Sequence, residues 1–330
     1  MQMKISVVIP AHNRPDLLLE AVESIAAQTH LNWEAVIVDD GSSPAIPLDQ
    51  LKVHLGRNAI FLRHDKPCGV ACAKNAGIKA ATGEIITLLD DDDLLAPTAL
   101  EKIDEAFTSR PDLDCLFLAV EPFGPYAKNP AENRKKAIDK ILQRVCPTES
   151  NGLYLFDDNL FSELLYSVPI DFQRPAARRG AWNIVGGFDE SGLFSESSWA
   201  IKASTMCKIA LTKEPLTYWR IHGNNFGWPS GLDHDQAVLR QIDNGLESAQ
   251  ALMRHFRRKQ EEATDQVKRI ESHLAENYFT KANFLRDKSK WLGLQTLLRS
   301  ILLSPQFKHF KLLLRYFLPS TNSKSKSTGT

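Results

Sequence analysis

The chain lacks the features that mark membrane-spanning and nucleic-acid-binding proteins. Its 330 residues include no apolar run that approaches the ~18 residues needed to cross a bilayer. The apolar stretch near the N-terminus, ISVVIP, is too short for the core of a signal peptide. Basic and acidic residues both number 40, so the net charge is zero and provides no overall attraction to nucleic acid. We therefore expect a cytoplasmic protein that does not bind nucleic acid.

Cysteine is also scarce, and its spacing is uninformative. The five cysteines are Cys68, Cys72, Cys115, Cys146 and Cys207. Their number is odd and no CxxC pair occurs, so the pattern indicates neither a disulfide framework nor a zinc site. Free thiols in a reducing compartment are the expectation.

Strand-like and helix-like segments alternate in the first third of the chain. The β-branched run KISVVI (4–9) is followed by DLLLEAVESIAAQ (16–28), which carries apolar residues at helical spacing. Similar strand-like runs are WEAVIVDD, AIFLRHD and EIITLL. This alternation predicts an α/β fold with a largely parallel sheet and helices on both faces. Residues 120–180 show no regular pattern, and beyond about 235 the pattern is helical.

Polar side chains follow three of these strands at the point where each strand ends. They are His12 and Asn13, Asp39 and Asp40, and the run from Asp90 to Asp93. In open α/β sheets the ligand crevice lies at the carboxyl ends of the strands. The pattern therefore predicts a nucleotide-type site at this edge.

The run LLDDDDLL (88–95) contains four consecutive carboxylates. Two like charges ~4 Å apart repel by about 4 kcal/mol at an effective dielectric constant of about 20. A solvated acidic turn would dilute this repulsion, whereas Mg²⁺ or Mn²⁺ bound to the oxygen atoms would reverse it. The segment alone is compatible with both.

Six segments occur in the order seen in family 2 glycosyltransferases. They are VVIPAHNRPDLLLEAVESIAAQT, IVDDGSS, GVACAKNAGI, GEIITLLDDDD, VGGFDE and WRIHGNN, and the resemblance covers about residues 3–226. The chain thus resembles inverting, metal-dependent enzymes of the nucleotide-diphospho-sugar-transferase (GT-A) fold, a Rossmann-like mixed sheet flanked by helices. The resemblance implies sugar transfer from a nucleotide-diphosphate donor to an acceptor hydroxyl, in polysaccharide or glycoconjugate synthesis. The acceptor would be a saccharide or a lipid-linked molecule.

The resemblance also implies a set of donor-binding residues. These are Pro10, Ala11, Asn13, Asp40, Lys74, Asn75, Asp90 and Asp91. Asp40 would accept a hydrogen bond from the nucleobase imide, which favours uracil and leaves thymine open. Lys74 would offset the charge of the diphosphate, and Asp90 would face the ribose. The alternatives are a solvated helix position for Lys74 and a capped turn before GSS for Asp39 and Asp40.

Asp92 and His222 resemble the protein ligands of the metal ion. Because imidazole is a borderline ligand, His222 favours Mn²⁺ over Mg²⁺. The catalytic base is less clear, since Ser197 stands where the family pattern has an acid. A serine hydroxyl is not a general base at neutral pH, so Glu196 is predicted to take that role.

Two other functions compete with this interpretation. A sugar nucleotidyltransferase would need a Gly-rich phosphate loop after the first strand, and the segment AHNRPD contains no glycine. A non-catalytic nucleotide-sugar-binding protein remains open, because Ser197 replaces the expected acid.

The predicted organisation is a GT-A domain at 1–235, a helical extension at 236–318 and a disordered tail at 319–330. Residues 281–330 carry ten basic residues and one acid, Asp287, between apolar stripes. Such helices can contact an anionic membrane peripherally, here at its cytoplasmic face. They can equally pack their apolar sides onto the catalytic domain, and the sequence leaves both alternatives open.

Overall fold

The computed structural model describes residues 2–157, 159–190, 195–222, 233–258 and 264–317. The chain divides into two compact units, Met1–Ser230 and Gly231–Thr330. This boundary lies five residues before the predicted one at 235. The predicted tail at 319–330 lies outside the described residues.

The first unit is built on a ten-stranded sheet. Its strands are β1 (Ile5–Ala11), β2 (Trp33–Asp39), β3 (Ala59–Arg63), β4 (Ile85–Leu88), β5 (Leu94–Leu95), β6 (Cys115–Phe123), β7 (Thr148–Ser150), β8 (Leu153–Phe156), β9 (Pro175–Arg178) and β10 (Ile209–Arg220). The order is β3-β2-β1-β4-β9-β6-β10-β8-β7, and β5 pairs with β10. Strands β3, β2, β1 and β4 are parallel, whereas β9 is antiparallel to both of its neighbours. The predicted mixed α/β sheet is confirmed.

Helices flank this sheet. They are α1 (Pro15–Ala26), α2 (Leu48–Leu55), α3 (Val70–Ala80), α4 (Ala99–Ser109), α5 (Lys128–Val145), α6 (Leu160–Tyr166), α7 (Arg179–Val185) and α8 (Ser195–Ala203), with a 3₁₀ turn at Ile170–Gln173. Helix α1 begins at Pro15, which is compatible with the first helical position, and has Asp16 in its first turn, where the helix dipole favours an acid. Its buried face contributes Leu18, Val22 and Ile25 to the core.

The core is concentrated around β1 and β2. All seven residues of each strand are buried, which is typical of parallel strands covered on both faces. Helix α3 approaches β1 so closely that a Cβ atom at Gly77 would overlap the side chain of Val8. This close approach fixes the position of α3, which carries Lys74 and Asn75, beside the strand ends.

The region 120–180, which the sequence pattern did not resolve, contains α5, a β7–β8 hairpin, α6 and β9. Helix α5 buries only four of its 18 residues, so its apolar periodicity is weak. The Arg134 guanidinium pairs with the fully buried Asp171 carboxylate at 2.5 Å and connects α5 to the 3₁₀ turn. This region inserts β9, with Arg174 immediately before it, into the middle of the sheet.

The second unit consists of four helices, α9 (His234–Arg258), α10 (Thr264–Leu285), α11 (Lys290–Leu303) and α12 (Phe307–Phe317). Their contacts include a buried cluster formed by Ala282, Leu297, Leu312 and Tyr316. None of the helices in the described part of the chain is both long and apolar enough to cross a bilayer.

Helix α11 has an unusual distribution of side chains. Its buried positions include Gly293, Thr296 and Ser300, and the Ser300 hydroxyl donates to the carbonyl oxygen of Ala275 at 2.5 Å. Leu297 is buried with them, but other large apolar side chains lie outside, with Trp291 71% and Leu302 84% exposed. The helix therefore presents an apolar surface to solvent.

Candidate donor-binding and metal site

The predicted polar residues meet at the carboxyl ends of β1, β2 and β4. Pro10 and Ala11 are the last residues of β1 and pair in register with Val38 and Asp39 of β2. Asn13 follows with a φ of +54°, in the left-handed region that asparagine tolerates better than most residues. Its Oδ1 atom accepts from the Ser43 amide at 2.8 Å, so the loop after β1 is held against the loop after β2.

The two acids that end β2 have different roles. Asp39 accepts from the Ser42 amide at 2.9 Å and pairs with Arg63, so it caps the GSS turn. Asp40 lies on the other side of the turn, and its own carbonyl oxygen contacts His12 Nδ1 at 2.7 Å. The capped-turn alternative therefore describes Asp39 and not Asp40.

The Asp40 carboxylate is oriented by three donors. Its Oδ1 atom contacts His64 Nδ1 at 2.8 Å and the Cys68 amide at 3.0 Å, and its Oδ2 atom accepts from the Gly69 amide at 2.8 Å. Burial raises the pKa of Asp40, but the Cys68 amide, His64 and the Gly69 amide outweigh it, so the pKa is lowered. Asp40 is consequently an ionised acceptor of fixed orientation.

Cys68 and Cys72 form a disulfide, so the expectation of free thiols is wrong for this pair. Cys115, Cys146 and Cys207 are free. The two bonded residues lie four apart at the start of α3, with their Cα atoms separated by 5.9 Å. Cys68 lies two residues before α3 and Cys72 lies in its first turn, and this close spacing in the sequence was the available signal.

The outer two of the four acids after β4 face Lys74 and Arg174. Asp90 contacts Lys74 Nζ at 2.8 Å and Arg174 Nη2 at 2.9 Å, and Asp93 accepts from the same Nη2 at 2.8 Å. Burial raises the pKa of Asp90, but Arg174 and Lys74 outweigh it and hold the pKa well below its usual range. Burial, Asp90 and Asp92 raise the pKa of Asp93 to about 7 despite Arg174.

The middle pair faces Arg14. Its Nη1 atom lies 3.2 Å from Asp91 Oδ1 and 2.6 Å from Asp92 Oδ2. Burial and the neighbouring Asp92 raise the pKa of Asp91 to about 6, against the effect of Arg14. His222 Nε2 lies 3.2 Å from the same Asp92 oxygen. Because Asp91, Asp92 and Asp93 are all buried, the solvated acidic turn does not describe this segment.

Lys74 is a buried cation rather than a solvated helix lysine. Only 2% of the residue is exposed, and Nζ contacts Glu196 Oε1 at 2.7 Å as well as Asp90. Burial lowers the pKa of Lys74, but Asp90 and Glu196 outweigh it, so the pKa is raised. In the same way, Lys74 outweighs burial and lowers the pKa of Glu196.

Asn75 holds the VGGFDE turn. Its Nδ2 atom donates to the Phe188 carbonyl at 2.9 Å and to Glu190 Oε1 at 2.8 Å, while its Oδ1 atom accepts from the Phe188 amide at 2.8 Å. A Cβ atom at Gly187 would lie 2.6 Å from this Oδ1 atom, so glycine is required for the close approach.

Trp199, which follows the candidate base, is a core residue. It is fully buried, stacks on Trp182 with ring centroids 4.4 Å apart, and donates from Nε1 to the Gly186 carbonyl at 2.8 Å. It is therefore placed to anchor α8 and not to stack on a sugar.

The sequence of this chain resembles that of known glycosyltransferases. Residues 6–165 match the model of glycosyl transferase family 2. The uncharacterized glycosyltransferase YwdF of Bacillus subtilis is 42% identical over 101 residues, which cover 31% of this chain and 37% of YwdF. The predicted resemblance to glycosyltransferase family 2 is confirmed for residues 6–165.

Two solved structures resemble this chain in fold. S. aureus TarS 1-349 in complex with UDP-GlcNAc has a TM-score of 0.60 at 17% identity, covering 91% of this chain and 80% of that chain. The mannosyltransferase PcManGT from Pyrobaculum calidifontis in complex with GDP-Man and Mn²⁺ has a TM-score of 0.56 at 16% identity. The match covers 96% of this chain and 79% of that chain. At this identity the likeness concerns the fold, and the predicted GT-A fold is confirmed.

The curated relatives are longer than the segment they share with this chain. The chain spans 25%, 37% and 28% of the first three that it matches. Family membership by itself specifies neither the sugar nor the acceptor.

The Asp92 and His222 side chains fit a divalent cation. Adjacent ligands of an octahedral ion with bonds of about 2.1 Å lie about 3 Å apart, and the two facing atoms here are 3.2 Å apart. The contact of Arg14 with Asp91 and Asp92 shows that this edge already accommodates positive charge. One carboxylate and one imidazole favour Mn²⁺ over Mg²⁺.

Sequence reasoning missed three residues that organise the site. Arg14 lies within the quoted AHNRP segment, so its position beside the acids was an available signal. Arg174 lies in the unassigned region, and no local pattern associates it with Asp90 and Asp93. His64 follows β3, where the rule that ligands collect at strand ends would have selected it.

Proposed function

We propose that the protein is an inverting glycosyltransferase that moves a sugar from a UDP-sugar to an acceptor hydroxyl, in polysaccharide or glycoconjugate synthesis. The observation that carries the proposal is the convergence of Asp40 with Asp90–Asp92 and His222 at one sheet edge within a family 2 domain. Pro10, Ala11 and Asn13 line the donor side.

The nucleobase would contact the Asp40 carboxylate. An ionised acceptor suits the imide N–H of uracil, and its three donors fix its direction. TarS, which shares the fold, has been solved with UDP-GlcNAc, whereas PcManGT has been solved with GDP-Man, so the fold alone does not select the base.

Asp92 and His222 would hold Mn²⁺ or Mg²⁺. When bound, the ion would supply Lewis-acid stabilisation of the leaving diphosphate. In this proposal Asp91 would contact the diphosphate and Asp90 the ribose. Lys74 and Arg174 neutralise Asp90 in the absence of donor. Asn75 acts on the donor side of the site by holding the VGGFDE turn.

Glu196 would be the general base. The acceptor hydroxyl oxygen attacks the anomeric carbon, the hydroxyl proton moves to a Glu196 oxygen, and the bond from the anomeric carbon to the diphosphate breaks with inversion. The lowered pKa keeps Glu196 ionised. The ion pair with Lys74 must loosen for full basicity, and donor phosphates that attract Lys74 would have that effect.

A donor-binding protein without transfer activity is the second candidate. It is favoured by the Lys74–Glu196 ion pair and by Ser197 in place of the expected acid. Nucleotide sugars would first be screened by thermal shift with and without Mn²⁺, and UDP release would then be assayed with saccharide and lipid-linked acceptors. Binding without turnover in wild type, together with turnover in Ser197→Asp, would favour this candidate.

The second unit would bring the enzyme to an anionic membrane as a peripheral protein at its cytoplasmic face. Apolar side chains of α11 and α12 are exposed, among them Trp291, Leu302 and Phe317. Four of the ten basic residues at 281–330 pair with acids, which are Lys281, Arg286, Lys288 and Lys308. Lys290, Arg299, Lys311 and Arg315 are exposed and have no ion pair within the described ranges. Lys324 and Lys326 lie outside those ranges.

A further inference from the structure

Three potential metal ligands lie together beside Asp40. Ligand atoms of His64, Cys68 and Cys72 all lie within 4.8 Å of one another. His64 Nδ1 is 3.1 Å from Cys68 Sγ. Neither cysteine side chain has a role in the glycosyl transfer described above, and His64 acts there only by orienting Asp40.

Asp40 lies beside two of these ligands and would supply a fourth ligand atom. Its Oδ1 atom is 2.8 Å from His64 Nδ1 and 3.3 Å from Cys68 Sγ. Two sulfurs, one imidazole nitrogen and one carboxylate oxygen form a donor set that suits tetrahedral Zn²⁺. This set of ligands is softer than the carboxylate and imidazole of Asp92 and His222, so the two sites would select different ions.

We propose that Cys68, Cys72, His64 and Asp40 form a redox-gated site for a thiophilic divalent cation of the Zn²⁺ class. With the disulfide intact, the sulfur lone pairs belong to a neutral S–S group and the site cannot bind the cation. A dithiol reductant transfers two electrons and two protons to the disulfide and is itself oxidised to a disulfide. Each thiol then releases its proton to solvent as its sulfur–metal bond forms.

The position of the cysteines suits both states. Their Cα atoms are 5.9 Å apart, a separation compatible with a disulfide and also with two ligands, one just before α3 and one in its first turn. Cys72 lies in the first turn of α3, where the helix dipole stabilises a thiolate. Cys68 is exposed, so a reductant can reach the bond.

The site would also control nucleotide binding, a consequence that rests on the function proposed for Asp40. A metal-bound Asp40 oxygen is no longer available to a uracil imide, so the cation and the nucleotide compete. By linkage, each would weaken the binding of the other by the same factor, roughly tenfold for a typical coupling.

Cobalt(II) is the probe for the metal site itself. The full chain is reduced with dithiothreitol, desalted without oxygen and titrated with Co²⁺. We expect one equivalent to bind with a thiolate-to-cobalt charge-transfer band and tetrahedral visible bands, both removed by Zn²⁺. The oxidised chain should show neither, and this comparison needs no mutation. Absence of the bands from the reduced chain would overturn the proposal.

Variants assign the ligands. Cys72→Ser and His64→Gln should each lose the charge-transfer band or weaken Co²⁺ binding by at least about tenfold. Cys146→Ser removes a free, exposed cysteine and should behave as wild type. If Cys72→Ser keeps the full spectrum, the assignment is wrong.

Calorimetry separates the metal site from the donor site. UDP is titrated, with Mg²⁺ present, into the reduced chain with and without one equivalent of Zn²⁺. We expect about tenfold weaker UDP binding with Zn²⁺. Equal affinities would refute the competition. Failure of UDP to bind even without Zn²⁺ would refute the proposed function while leaving the cobalt result intact.

Discussion

Asp92 shares one oxygen between Arg14 and His222, so a single amide substitution removes both the charge and the ligand atom. We expect Asp92→Asn to abolish the gain in UDP affinity that Mn²⁺ provides to wild type. Asp49→Asn, at a fully exposed acid on α2, is the matched control and should keep that gain. Calorimetry of UDP with and without Mn²⁺ measures the effect. If the Mn²⁺ dependence of UDP binding were unchanged in Asp92→Asn, Asp92 would not be a ligand of the metal ion.

Glu196 tests the chemistry independently of donor binding. A carboxylate base contributes about 10²- to 10⁴-fold to the rate, so Glu196→Gln should reduce turnover by that range and leave UDP affinity nearly unchanged. Glu132→Gln, at an exposed acid of α5, should have no effect on either quantity. Near-normal turnover in Glu196→Gln would place the base elsewhere.

His273 gives a pH dependence in the second unit. Burial lowers its pKa from 6.5 to about 4, against the effect of Glu276. The unfolded chain therefore binds more protons than the folded chain between these pH values. The stability that depends on a neutral His273 is therefore fully present above pH 6.5. As the pH falls toward 4, the free energy of unfolding decreases by roughly 1–3 kcal/mol.

Urea unfolding at pH 7.5 and pH 5 measures this loss. His273→Gln should flatten the dependence on pH, and His54→Gln, at a histidine of α2, should retain the wild-type slope. Equal slopes in wild type and His273→Gln would contradict the assignment.

The sequence predicted the acidic residues of the site better than the cationic side chains that pair with them. Asp40 and Asp92 could be selected because each follows an apolar strand at a known edge of the sheet. Arg174 could not, since its partners lie more than 80 residues earlier and only the insertion of β9 beside β4 brings them together. Pairing of this kind depends on topology and leaves no local pattern.

At the scale of elements, the contact between α3 and the VGGFDE turn depends on Gly187. Gly187→Ala would place a Cβ atom 2.6 Å from Asn75 Oδ1, so the turn or the helix must shift. We expect a loss of about 1–3 kcal/mol in the free energy of unfolding, together with weaker UDP binding.

Gly180→Ala is the control for that substitution. Gly180 lies in α7 with open space around its missing Cβ atom, so alanine should be neutral or stabilising by up to about 1 kcal/mol. Urea unfolding measures the free energy of unfolding of Gly187→Ala and Gly180→Ala. Equal stabilities would mean that the Asn75 contact does not constrain the turn.

Elements were predictable where burial imposed a regular pattern. Strands β1 and β2 are buried throughout and appear as continuous apolar runs, and α1 has a clear apolar face with Pro15 at its start. Helix α5 is largely exposed and β9 has four residues, so neither imposes a period that can be recognised. The helical character of α9–α12 was evident, but the outward apolar face of α11 was not.

At the scale of the whole molecule, the exposed apolar residues of the second unit predict membrane binding. Basic residues near an anionic surface contribute about 1 kcal/mol each, and inserted aromatic rings add to this. We expect the full chain to float with anionic liposomes at low salt and less at high salt.

Substitutions of exposed apolar residues test the apolar contribution to membrane binding. Trp291→Ser combined with Leu302→Ser should abolish flotation. Leu31→Ser, at a residue of the first unit that is 76% exposed, should not affect it. No flotation of wild type at low salt would exclude membrane binding.

The place of β9 in the sheet has a consequence for synthesis on the ribosome. Its neighbours β4 and β6 are both made earlier, so their facing edges have no partner until residues 175–178 emerge. Arg174, the side-chain cation that contacts Asp93, emerges at the same moment. A nascent chain that stalls before this point would display open strand edges on both β4 and β6, which are templates for aggregation. Pausing just before residue 174 should therefore promote aggregation, and slow translation there would favour insoluble product.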